Sequence, residues 1–458
     1  MSAYNFSRQP KETPEIKTKY RIIKTPIPTF GTETILNELE SYESRSMHGQ
    51  LPIIWDRATD FSIYDRAGNK WIDFTSTIFV TNIGHSNPRL ISAVKRVLDK
   101  ELVHTYAYPH EMRSEYLKKL VEFSGSNFEK AFLASAGTEV TEVALKLMRL
   151  NGMRLGKRRS VVICIEGNWH GRTMGAQFMS SSREQKDWIG HDDPDICHIP
   201  FPYPWVLDNR SPETFLQEGL KRLEDNGIDL ERDVCGFMLE TFQGWGAVFY
   251  PEEYVQAVET ICRENRILLA FDEMQSGFAR TGKNFGFEHY GVKPDLIVCG
   301  KGMGSGFPVS GVIGKADIMD LPDVGSMSST HSANPVACAA GLATLEEIKS
   351  ARLVQESVRK GLVLHGELKK LKKKYSDVIA FTFGRGLIGA VLFCKPGGTE
   401  PDIQITGQIA ELCMRKGLLV VYTGRESIKI GPPLTISDDA LLEGLEVLDE
   451  AIAEVIKV

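Results

Sequence analysis

The sequence of 458 residues lacks both a long hydrophobic run and an excess of positive charge. No apolar stretch approaches the roughly 18 residues that a membrane-spanning helix needs, and residues 1–17 lack the apolar segment of a signal peptide. Lys and Arg number 54 against 60 Asp and Glu, a formal net charge of -6, whereas nucleic-acid-binding domains usually carry a basic face. We therefore expect a cytoplasmic protein that binds neither a membrane nor a nucleic acid.

Paired cysteines are absent as well. None of the eight cysteines forms a C-x-x-C pair, and several stand inside apolar runs, which is typical of reduced, buried thiols. The stretch His191-Asp192-Asp193 and the nearby His198 do not have the spacing of metal ligands either. The sequence thus predicts no metal site.

The sequence does contain an alternation of short apolar strands with helix-length segments such as 138–150 and 252–265. The predicted strands are 131–134, 161–165, 235–239, 267–271 and 296–299. This alternation predicts an α/β fold whose mostly parallel sheet is covered on both faces. The proline-rich stretch 183–215 interrupts the rhythm, and we predict that it is a long excursion.

Both ends of the chain have a different pattern. A hairpin is predicted over 61–74, around a turn that contains Gly68, and helices over about 336–375 precede several strands and a last helix near 438–456. We predict three segments: an N-terminal arm and hairpin that join the small domain (1–75), a large domain (76–335) and a C-terminal small α+β domain (336–458).

Polar residues follow the predicted strands of the large domain. Glu240 and Asp272 come directly after two of them, and Lys301 comes two residues after the end of a third. Open parallel sheets bind ligands beyond the carboxyl ends of their strands, and neighbouring strands are about 4.8 Å apart. These groups are therefore expected to meet around one small molecule.

A glycine turn at 135–138 precedes an amphipathic helix. Its apolar positions, spaced i, i+3, i+4, i+7 and i+8, are Val140, Val143, Ala144, Leu147 and Met148. The N-terminus of a helix offers free N–H groups to an anion, so Gly137 and Thr138 are candidates for binding a phosphate. An ordinary capped helix is the alternative.

Lys301 stands between Gly300 and Gly302 at the end of an apolar strand, and Asp272 ends the strand before it. A structural ion pair between the two is one interpretation, since a buried anion needs a partner. A phosphate-binding glycine loop is another, although the stretch does not match G-x-x-x-x-G-K-[ST]. The third is a Schiff-base lysine, with an acid that keeps a pyridinium nitrogen protonated.

Seven stretches in family order carry a resemblance to the class III aminotransferases, which are pyridoxal 5'-phosphate (PLP) enzymes of fold type I. The resemblance covers roughly residues 60–440 and centres on LLAFDEMQSGFARTGKNFGFEHYGVKPDLIVCGKGMGSGFPVSGVIG (268–314). The other stretches are VTNIGHSNP, FLASAGTEVTEVALKLMR, GNWHGRT, LETFQG, NPVACAAGLATLE and GRGLIGAV.

The resemblance implies a set of cofactor-binding residues. Lys301 would hold PLP covalently and later move a proton, and Asp272 would pair with the pyridine nitrogen. Gln275 would hydrogen-bond the ring hydroxyl, and Trp169 would stack on the ring where many relatives carry Tyr or Phe. Gly137 and Thr138 would hold the phosphate.

The resemblance also implies that two chains build each active site. Thr330, five residues before Pro335, would reach the phosphate of the neighbouring subunit, which makes the protein a homodimer with shared sites. His170 and Glu240 are expected to support the site without reacting.

Four residues are implied in substrate binding. Arg385 would bind the substrate carboxylate, and Arg172 is a weaker candidate for a distal carboxylate. Ile78 matches an apolar pocket position of aminobutyrate-type enzymes, whereas relatives that decarboxylate dialkylglycines have glutamine there. Trp245 departs from the family pattern. Family members that act on ω-amino acids often carry a glutamate at this position, and that glutamate pairs with the arginine that corresponds to Arg385.

These observations predict a PLP-dependent aminotransferase that moves an amino group from an amino-acid donor to a keto acid or aldehyde, such as a sugar aldehyde, by a ping-pong mechanism. A racemase or epimerase of the same class is the alternative. A PLP-binding regulator would carry a DNA-binding domain, and the first 60 residues show no helix-turn-helix pattern. A nucleotide-binding protein would need the complete phosphate-loop motif.

Overall fold

The structure is a computed structural model that describes residues 4–181 and 184–457. Unit 1, the first of two compact units, comprises the described residues up to Asn87 together with 245–247 and those from Gln355 onward. Unit 2 comprises the described residues of Pro88–Gly244 and of Val248–Val354. The units thus change at 87/88 and 354/355, later in the chain than the segment boundaries 75/76 and 335/336 predicted from sequence.

The strands in chain order are β1 (Ile16–Lys17), β2 (Ile22–Ile23), β3 (Arg57–Thr59), β4 (Ser62–Tyr64), β5 (Lys70–Asp73), β6 (Lys130–Ala134), β7 (Val161–Ile165), β8 (Ile196–Ile199), β9 (Val234–Glu240), β10 (Phe242–Gln243), β11 (Val248–Phe249), β12 (Leu268–Asp272), β13 (Leu296–Cys299), β14 (Ser310–Gly314), β15 (Ile379–Arg385), β16 (Ile388–Phe393), β17 (Leu418–Leu419), β18 (Val421–Tyr422) and β19 (Ser427–Ile430).

The helices in chain order are α1 (Thr32–Tyr42), α2 (Ser76–Phe79), α3 (Pro88–Leu98), α4 (Glu111–Ser124), α5 (Gly137–Arg154), α6 (Met174–Met179), α7 (Pro204–Leu207), α8 (Pro212–Asp225), α9 (Leu230–Asp233), α10 (Glu252–Glu264), α11 (Ala316–Met319), α12 (Pro335–Ser350), α13 (Leu353–Lys374), α14 (Ile403–Arg415) and α15 (Asp438–Ile456).

Unit 2 is built on a seven-stranded sheet in the order β6-β14-β13-β12-β9-β7-β8. The pairs β13-β12, β12-β9, β9-β7 and β7-β8 are parallel, and β14 runs antiparallel to both of its neighbours. The predicted apolar face of α5 packs on this sheet: Val140, Ala144, Leu147 and Met148 are fully buried, and Val143 packs against the same core. The predicted parallel sheet and this helix are confirmed.

Unit 1 contains two sheets. One has the order β1-β2-β5-β4-β3, with β17 parallel to β5, and the other has the antiparallel order β15-β16-β19-β18. The predicted hairpin is present as β4 and β5. The Trp71 indole, fully buried, donates a hydrogen bond of 2.7 Å to the carbonyl of Met414 at the end of α14 and so ties the first sheet to that helix.

Two parts of the sequence prediction need correction. The stretch 183–215 contains β8, which is the edge strand beside β7, as well as α7 and the start of α8. The strand β14 was missed between β13 and β6, because its sequence SGVIG contains two glycines, which are depleted in strands.

Candidate active site

The carboxyl ends of β9, β12 and β13 lie side by side in unit 2. Glu240 and Asp272, the last residues of β9 and β12, are paired in the sheet register, and Asp272 is paired with Val298 of β13 on its other side. Lys301 follows two residues after the end of β13. The structure therefore brings together the three groups that the sequence placed at this edge of the sheet.

Asp272 is almost completely buried, and each of its carboxylate oxygens has a hydrogen-bond partner. Its Oδ2 is 2.9 Å from Nδ1 of His170, which is also buried, and its Oδ1 accepts the N–H of Met274 at 3.0 Å. His170 is held in turn, because its N–H donates to Oγ of Ser180 at 2.8 Å. These bonds fix the carboxylate at the end of β12.

Lys301 opens a single 3-10 turn, Lys301–Met303, and has left-handed backbone with φ 44°. A lysine in this conformation is strained, and such strain concentrates at functional sites. Burial lowers the pKa of Lys301, and the nearby carboxylates of Asp272 and Glu240 oppose that effect. Burial therefore shifts the equilibrium of Lys301 toward the neutral amine, which can accept a proton.

Glu240 is a buried carboxyl whose pKa is raised to about 7, first by burial and then by the neighbouring charge of Asp272. Its Oε2 accepts the N–H of Trp169 at 3.0 Å and that of Gly244 at 3.4 Å. The side chain thereby connects the backbone after β7, at Trp169, with the backbone after β10, at Gly244.

Replacing Glu240 by glutamine is expected to stabilise the cofactor-free protein more at pH 8 than at pH 5. A carboxyl whose folded pKa is raised loses stability as pH rises from its unfolded value, 4.5, to about 7. The pKa difference corresponds to roughly 3 kcal/mol at most. Thermal unfolding at both pH values measures it, with the exposed Glu253→Gln as control; a gain that is equal at pH 5 and pH 8 would contradict the prediction.

Glu273 is a buried carboxylate that sequence reasoning did not single out. Its oxygens accept the hydroxyls of Thr241 at 2.5 Å and Ser276 at 2.7 Å, and the N–H groups of Gly286 at 2.7 Å and Phe287 at 2.8 Å. The side chain therefore fixes the loop after β12. The only signal in the sequence was an acid next to Asp272, which could not distinguish this role from catalysis.

Gly137 and Thr138 are the first two residues of α5, where an α-helix leaves N–H groups without intrahelical acceptors. The Thr138 hydroxyl is 2.6 Å from that of Thr173 and accepts the Thr173 N–H at 3.1 Å. The carboxylate of Glu139 accepts hydrogen bonds from the N–H groups of Ser135 and Ala136, just before the helix, at 2.8 and 2.7 Å. This N-terminus can accept a phosphate at its first turn.

Gln275 lies over the glycine that follows β10. A Cβ on Gly244 would collide with the amide nitrogen of Gln275 and lie 2.8 Å from Oε1 of Glu240. Only glycine at this position leaves room for the Gln275 amide where the structure has it, next to the carboxyl end of β12.

Trp169 and Arg172 stack on each other. The guanidinium carbon of Arg172 is 4.5 Å from the centre of the indole, and the indole is 38% exposed, enough to offer a face to a ring. The contact covers one face of the Arg172 guanidinium, whose N–H groups point outward in its own plane, and the role in binding a distal carboxylate stays a prediction.

Thr330 is exposed in the irregular segment between α11 and α12. Its carbonyl is 2.8 Å from Nε2 of His104, so the segment is attached to the stretch between α3 and α4.

Ile78 lies in unit 1, in a turn that sequence reasoning did not foresee. Ser76, Thr77, Ile78 and Phe79 all have left-handed backbone, with φ between 45° and 64°, a conformation that costs roughly 1–2 kcal/mol per residue. The Thr75 hydroxyl accepts the Thr77 N–H at 3.0 Å and the Ser76 hydroxyl donates to the carbonyl of Gly431 at 2.7 Å.

This turn faces a cavity of about 590 Å³ within unit 1. Ile78 is 47% exposed there, and Trp55 and Tyr422 line the same cavity. A strained turn that exposes a large apolar side chain is consistent with a binding surface.

Arg385, also in unit 1, ends β15 and pairs with Ile388 across a tight hairpin. Two side chains of α13 anchor that hairpin: His365 Nε2 is 3.0 Å from the carbonyl of Gly386, and the Ser357 hydroxyl accepts the Leu387 N–H at 3.0 Å. The backbone that carries the guanidinium is therefore well fixed.

Trp245 belongs to the short piece of unit 1 that follows Gly244 in the chain. The guanidinium of Arg425 lies over its ring at 3.9 Å, and its carbonyl accepts the Ser427 hydroxyl at 2.7 Å. Sequence reasoning missed Arg425, which no short-range pattern connects to a residue 180 positions earlier.

The residues of unit 2 fit PLP as a cofactor. They offer a buried carboxylate for the ring nitrogen, an amide beside a glycine for the ring hydroxyl, a helix N-terminus with a threonine hydroxyl for the phosphate, and a lysine of lowered pKa for the aldehyde carbon. Within residues 4–181 and 184–457, no group of three His, Cys, Asp or Glu side chains could hold a metal ion. In the same ranges, no helix combines the length and apolar character that a membrane crossing requires.

Comparisons with known proteins agree with this arrangement. Residues 43–452 match the family model "Aminotransferase class-III". The chain is 31% identical over 425 residues to the acetylornithine aminotransferase of Caldanaerobacter subterraneus subsp. tengcongensis, covering 91% of this chain and 99% of that protein. It is 32% identical over 448 residues to the 4-aminobutyrate aminotransferase of Mycobacterium leprae, covering 95% and 98%.

The similarity extends to a racemase and to solved structures. The alanine/serine racemase of Pyrococcus horikoshii is 32% identical over 417 residues, covering 88% of this chain and 86% of the racemase. The crystal structure of a transaminase from the marine bacterium Virgibacillus superposes with a TM-score of 0.83 at 26% identity, over 93% of this chain and 99% of that one. Family, fold type I and chemistry agree: the chain belongs to the class III aminotransferases and is an enzyme that transfers amino groups with PLP.

Proposed function

We propose that Lys301 and Asp272 are the catalytic residues of this aminotransferase. The observation that carries the proposal is their position at the ends of the neighbouring strands β12 and β13, with a buried carboxylate on one and a lysine of lowered pKa after the other. Gln275, Trp169, Gly137 and Thr138 are proposed to hold the ring and phosphate. When bound, PLP supplies a carbonyl for the amino group and a ring that takes up the electrons released at the substrate Cα.

The chain's own residues manage the protons. Asp272, fixed by His170, favours a proton on the ring nitrogen, since a carboxylate hydrogen-bonded to a charged form raises that form's pKa. Nζ of Lys301 would accept the proton from the substrate Cα and deliver it to the cofactor carbon C4' on the other side of the transferred nitrogen, which is general acid–base catalysis. Burial lowers the pKa of Lys301 and so shifts its amine toward the form that can accept a proton.

We further propose that the donor is an α-amino acid and that the acceptor is a keto acid or an aldehyde, sugar aldehydes included. Arg385 suits a carboxylate, because the planar guanidinium binds it through two hydrogen bonds. Trp245 stands where a glutamate would otherwise neutralise the arginine. Hydroxyl groups of an acceptor without a carboxylate are proposed to accept hydrogen bonds from the guanidinium in its place.

Substrate identity is testable by half-reactions. The absorbance of the loaded enzyme is followed with a panel of α-amino acids, ω-amino acids and simple amines, and keto acids and aldehydes are then added to restore it. The proposal expects α-amino acids to act as donors. A preference for simple alkylamines over every α-amino acid would contradict it.

Replacing Arg385 by alanine is expected to reduce the half-reaction with α-amino acids by about tenfold or more, because a charge-assisted hydrogen bond is worth roughly 1.5–3 kcal/mol. The half-reaction with a carboxylate-free amine should change little. Arg425→Ala is the matched control, since it removes the arginine that stacks on Trp245. If Arg385→Ala slowed both half-reactions equally, Arg385 would not bind the carboxylate. The same conclusion would follow if the half-reaction with α-amino acids were slowed in Arg425→Ala but not in Arg385→Ala.

Racemisation is a second candidate, favoured by the 32% identity to a racemase. A racemase would return the proton to the opposite face of the same carbon and release no keto acid. Incubating the enzyme with one enantiomer of a donor and no acceptor distinguishes the two. We expect one equivalent of keto acid per site and no inversion.

We propose a homodimer that works in the cytoplasm. A run of exposed apolar side chains between α3 and α4 supports a partner surface; its members are Leu98, Leu102, Val103, Tyr106 and Tyr108. The eight cysteines are free, which suits a reducing compartment. In the dimer, Thr330 is proposed to contact the phosphate of the cofactor in the partner subunit.

A further inference from the structure

The segment that carries Thr330 has little secondary structure of its own. It runs from Met327 to Asn334, whose side chain caps α12 by accepting the Ala337 N–H at 2.9 Å. Ala333 has left-handed backbone with φ 53°. The Ser332 hydroxyl donates to the carbonyl of Ser329 at 2.7 Å and closes a turn within the segment, and contacts from elsewhere in unit 2 attach that turn to the fold.

Two histidines provide two of those contacts, and the Ser329 hydroxyl provides another to Glu139 at 3.4 Å. His104 lies 2.8 Å, through Nε2, from the carbonyl of Thr330 itself, and His110 lies 2.9 Å, through Nε2, from the carbonyl of Ala333. Because a carbonyl only accepts, both rings donate from Nε2. The two bonds hold the backbone at Thr330 and again three residues later.

His110 uses its second nitrogen as well. Nδ1 accepts the N–H of Arg113 at 3.1 Å and so caps the N-terminus of α4. In this arrangement Nε2 donates and Nδ1 accepts. One side chain links the end of a helix to the Thr330 segment.

A cavity separates parts of the two segments. A cavity of about 130 Å³ lies between them, lined by Tyr106 and Ala107 on one side and by Ser328, Ser329 and Ser332 on the other. Beside this cavity, the two histidine hydrogen bonds bridge the segments at the carbonyls of Thr330 and Ala333.

We propose that His104 and His110 are positioning residues that set Thr330 for its contact with the phosphate of the partner's cofactor. The inference rests on the proposed function, in which Thr330 makes that contact. Neither histidine needs to touch PLP. Their effect should consequently appear only with a cofactor that carries the phosphate.

Crossed variants separate positioning from helix capping. His110→Asn keeps an acceptor near the Nδ1 position for the Arg113 N–H but cannot reach the carbonyl of Ala333. His110→Gln keeps a donor near the Nε2 position and gives up the cap. At the other site, His104→Gln keeps the donor and His104→Leu removes it.

The measurement is the dissociation constant of PLP, and separately of pyridoxal, for the full-length cofactor-free protein, with sedimentation to verify the dimer. His110→Asn and His104→Leu are expected to weaken PLP about three- to tenfold, with pyridoxal unchanged. His110→Gln and His104→Gln should keep PLP binding within about twofold of the parent. Thr330→Ala should weaken PLP by at least about tenfold.

The outcomes separate this inference from its premise. Equal weakening of PLP and pyridoxal, or equal behaviour of His110→Asn and His110→Gln, would overturn the positioning role and leave Thr330 in place. If Thr330→Ala binds PLP like the parent, the phosphate contact itself is wrong, and the inference falls with it. A selective loss of PLP in the donor-deleting variants supports it.

Discussion

Replacing Lys301 by alanine is expected to reduce amino transfer by at least about ten-thousand-fold. The change removes the amine that moves the proton at the substrate Cα, a contribution of up to roughly 10⁴-fold for general acid–base catalysis alone. It also removes the covalent attachment of the cofactor, which adds to the loss. The rate is measured with saturating donor and acceptor.

Lys315 offers a matched control. It is an exposed lysine that directly follows β14 in the same sheet, so Lys315→Ala removes a strand-end amine outside the proposed site. We expect parent-like activity from it. A Lys301→Ala enzyme that retained a tenth of the parent rate would rule out Lys301 as the catalytic lysine.

Asp272→Asn is expected to lower the rate by several orders of magnitude while the protein still folds. An amide accepts a hydrogen bond but does not stabilise a positive charge on the ring nitrogen, so the electron sink is weakened. The hydrogen bond from His170 can persist to the amide oxygen. A loss below about tenfold, or roughly 1.4 kcal/mol of barrier, would mean that Asp272 is not the partner of the ring.

Asp295→Asn provides the comparison for a buried carboxylate. Asp295 stands just before β13, at the amino end of the strand and thus at the end opposite to Lys301. Its carboxylate accepts hydrogen bonds from the guanidinium of Arg263 at 2.7 Å and from the N–H of Leu269 at 2.9 Å. Its loss should lower the unfolding temperature and leave the rate within a few-fold. Equal rate losses in both variants would indicate general destabilisation.

The sequence predicted the elements whose reasons are local. The helix α5 follows from its apolar spacing, and β9, β12 and β13 follow from short runs of apolar residues that become fully buried. Because the carboxyl ends of parallel strands lie on the same side of a sheet, Glu240, Asp272 and Lys301 were then expected to lie close together.

Elements that depend on distant contacts could not be predicted in this way. The helix α14 contains Gly407, which packs so closely on the ring of Tyr4 that a Cβ would collide with it; a contact across some 400 residues leaves no local pattern. The left-handed turn at 76–79 also contradicts local preference, since Thr77 and Ile78 are β-branched. Its hydrogen bond to Gly431 comes from the other end of the chain.

In the candidate active site, too, some residues could be predicted from local sequence and others could not. Strand-end residues were identified from their position, whereas the stacking of Arg425 on Trp245 and the attachment of the Thr330 segment by two histidines required the folded chain. Glu273 shows why an acid next to a catalytic candidate is ambiguous. Its four hydrogen bonds, and not its sequence position, identify it as a support for the loop.

The measurement that tests the central claim most directly is reduction of the PLP-loaded enzyme with borohydride, followed by proteolysis and mapping of the modified peptide. Reduction makes the bond between cofactor and lysine permanent, so the label marks the residue that held the cofactor. The account predicts one label per chain, on Lys301 in the peptide Cys299-Gly300-Lys301-Gly302. A label on any other lysine, or a parent enzyme that is fully active and carries none, would contradict it.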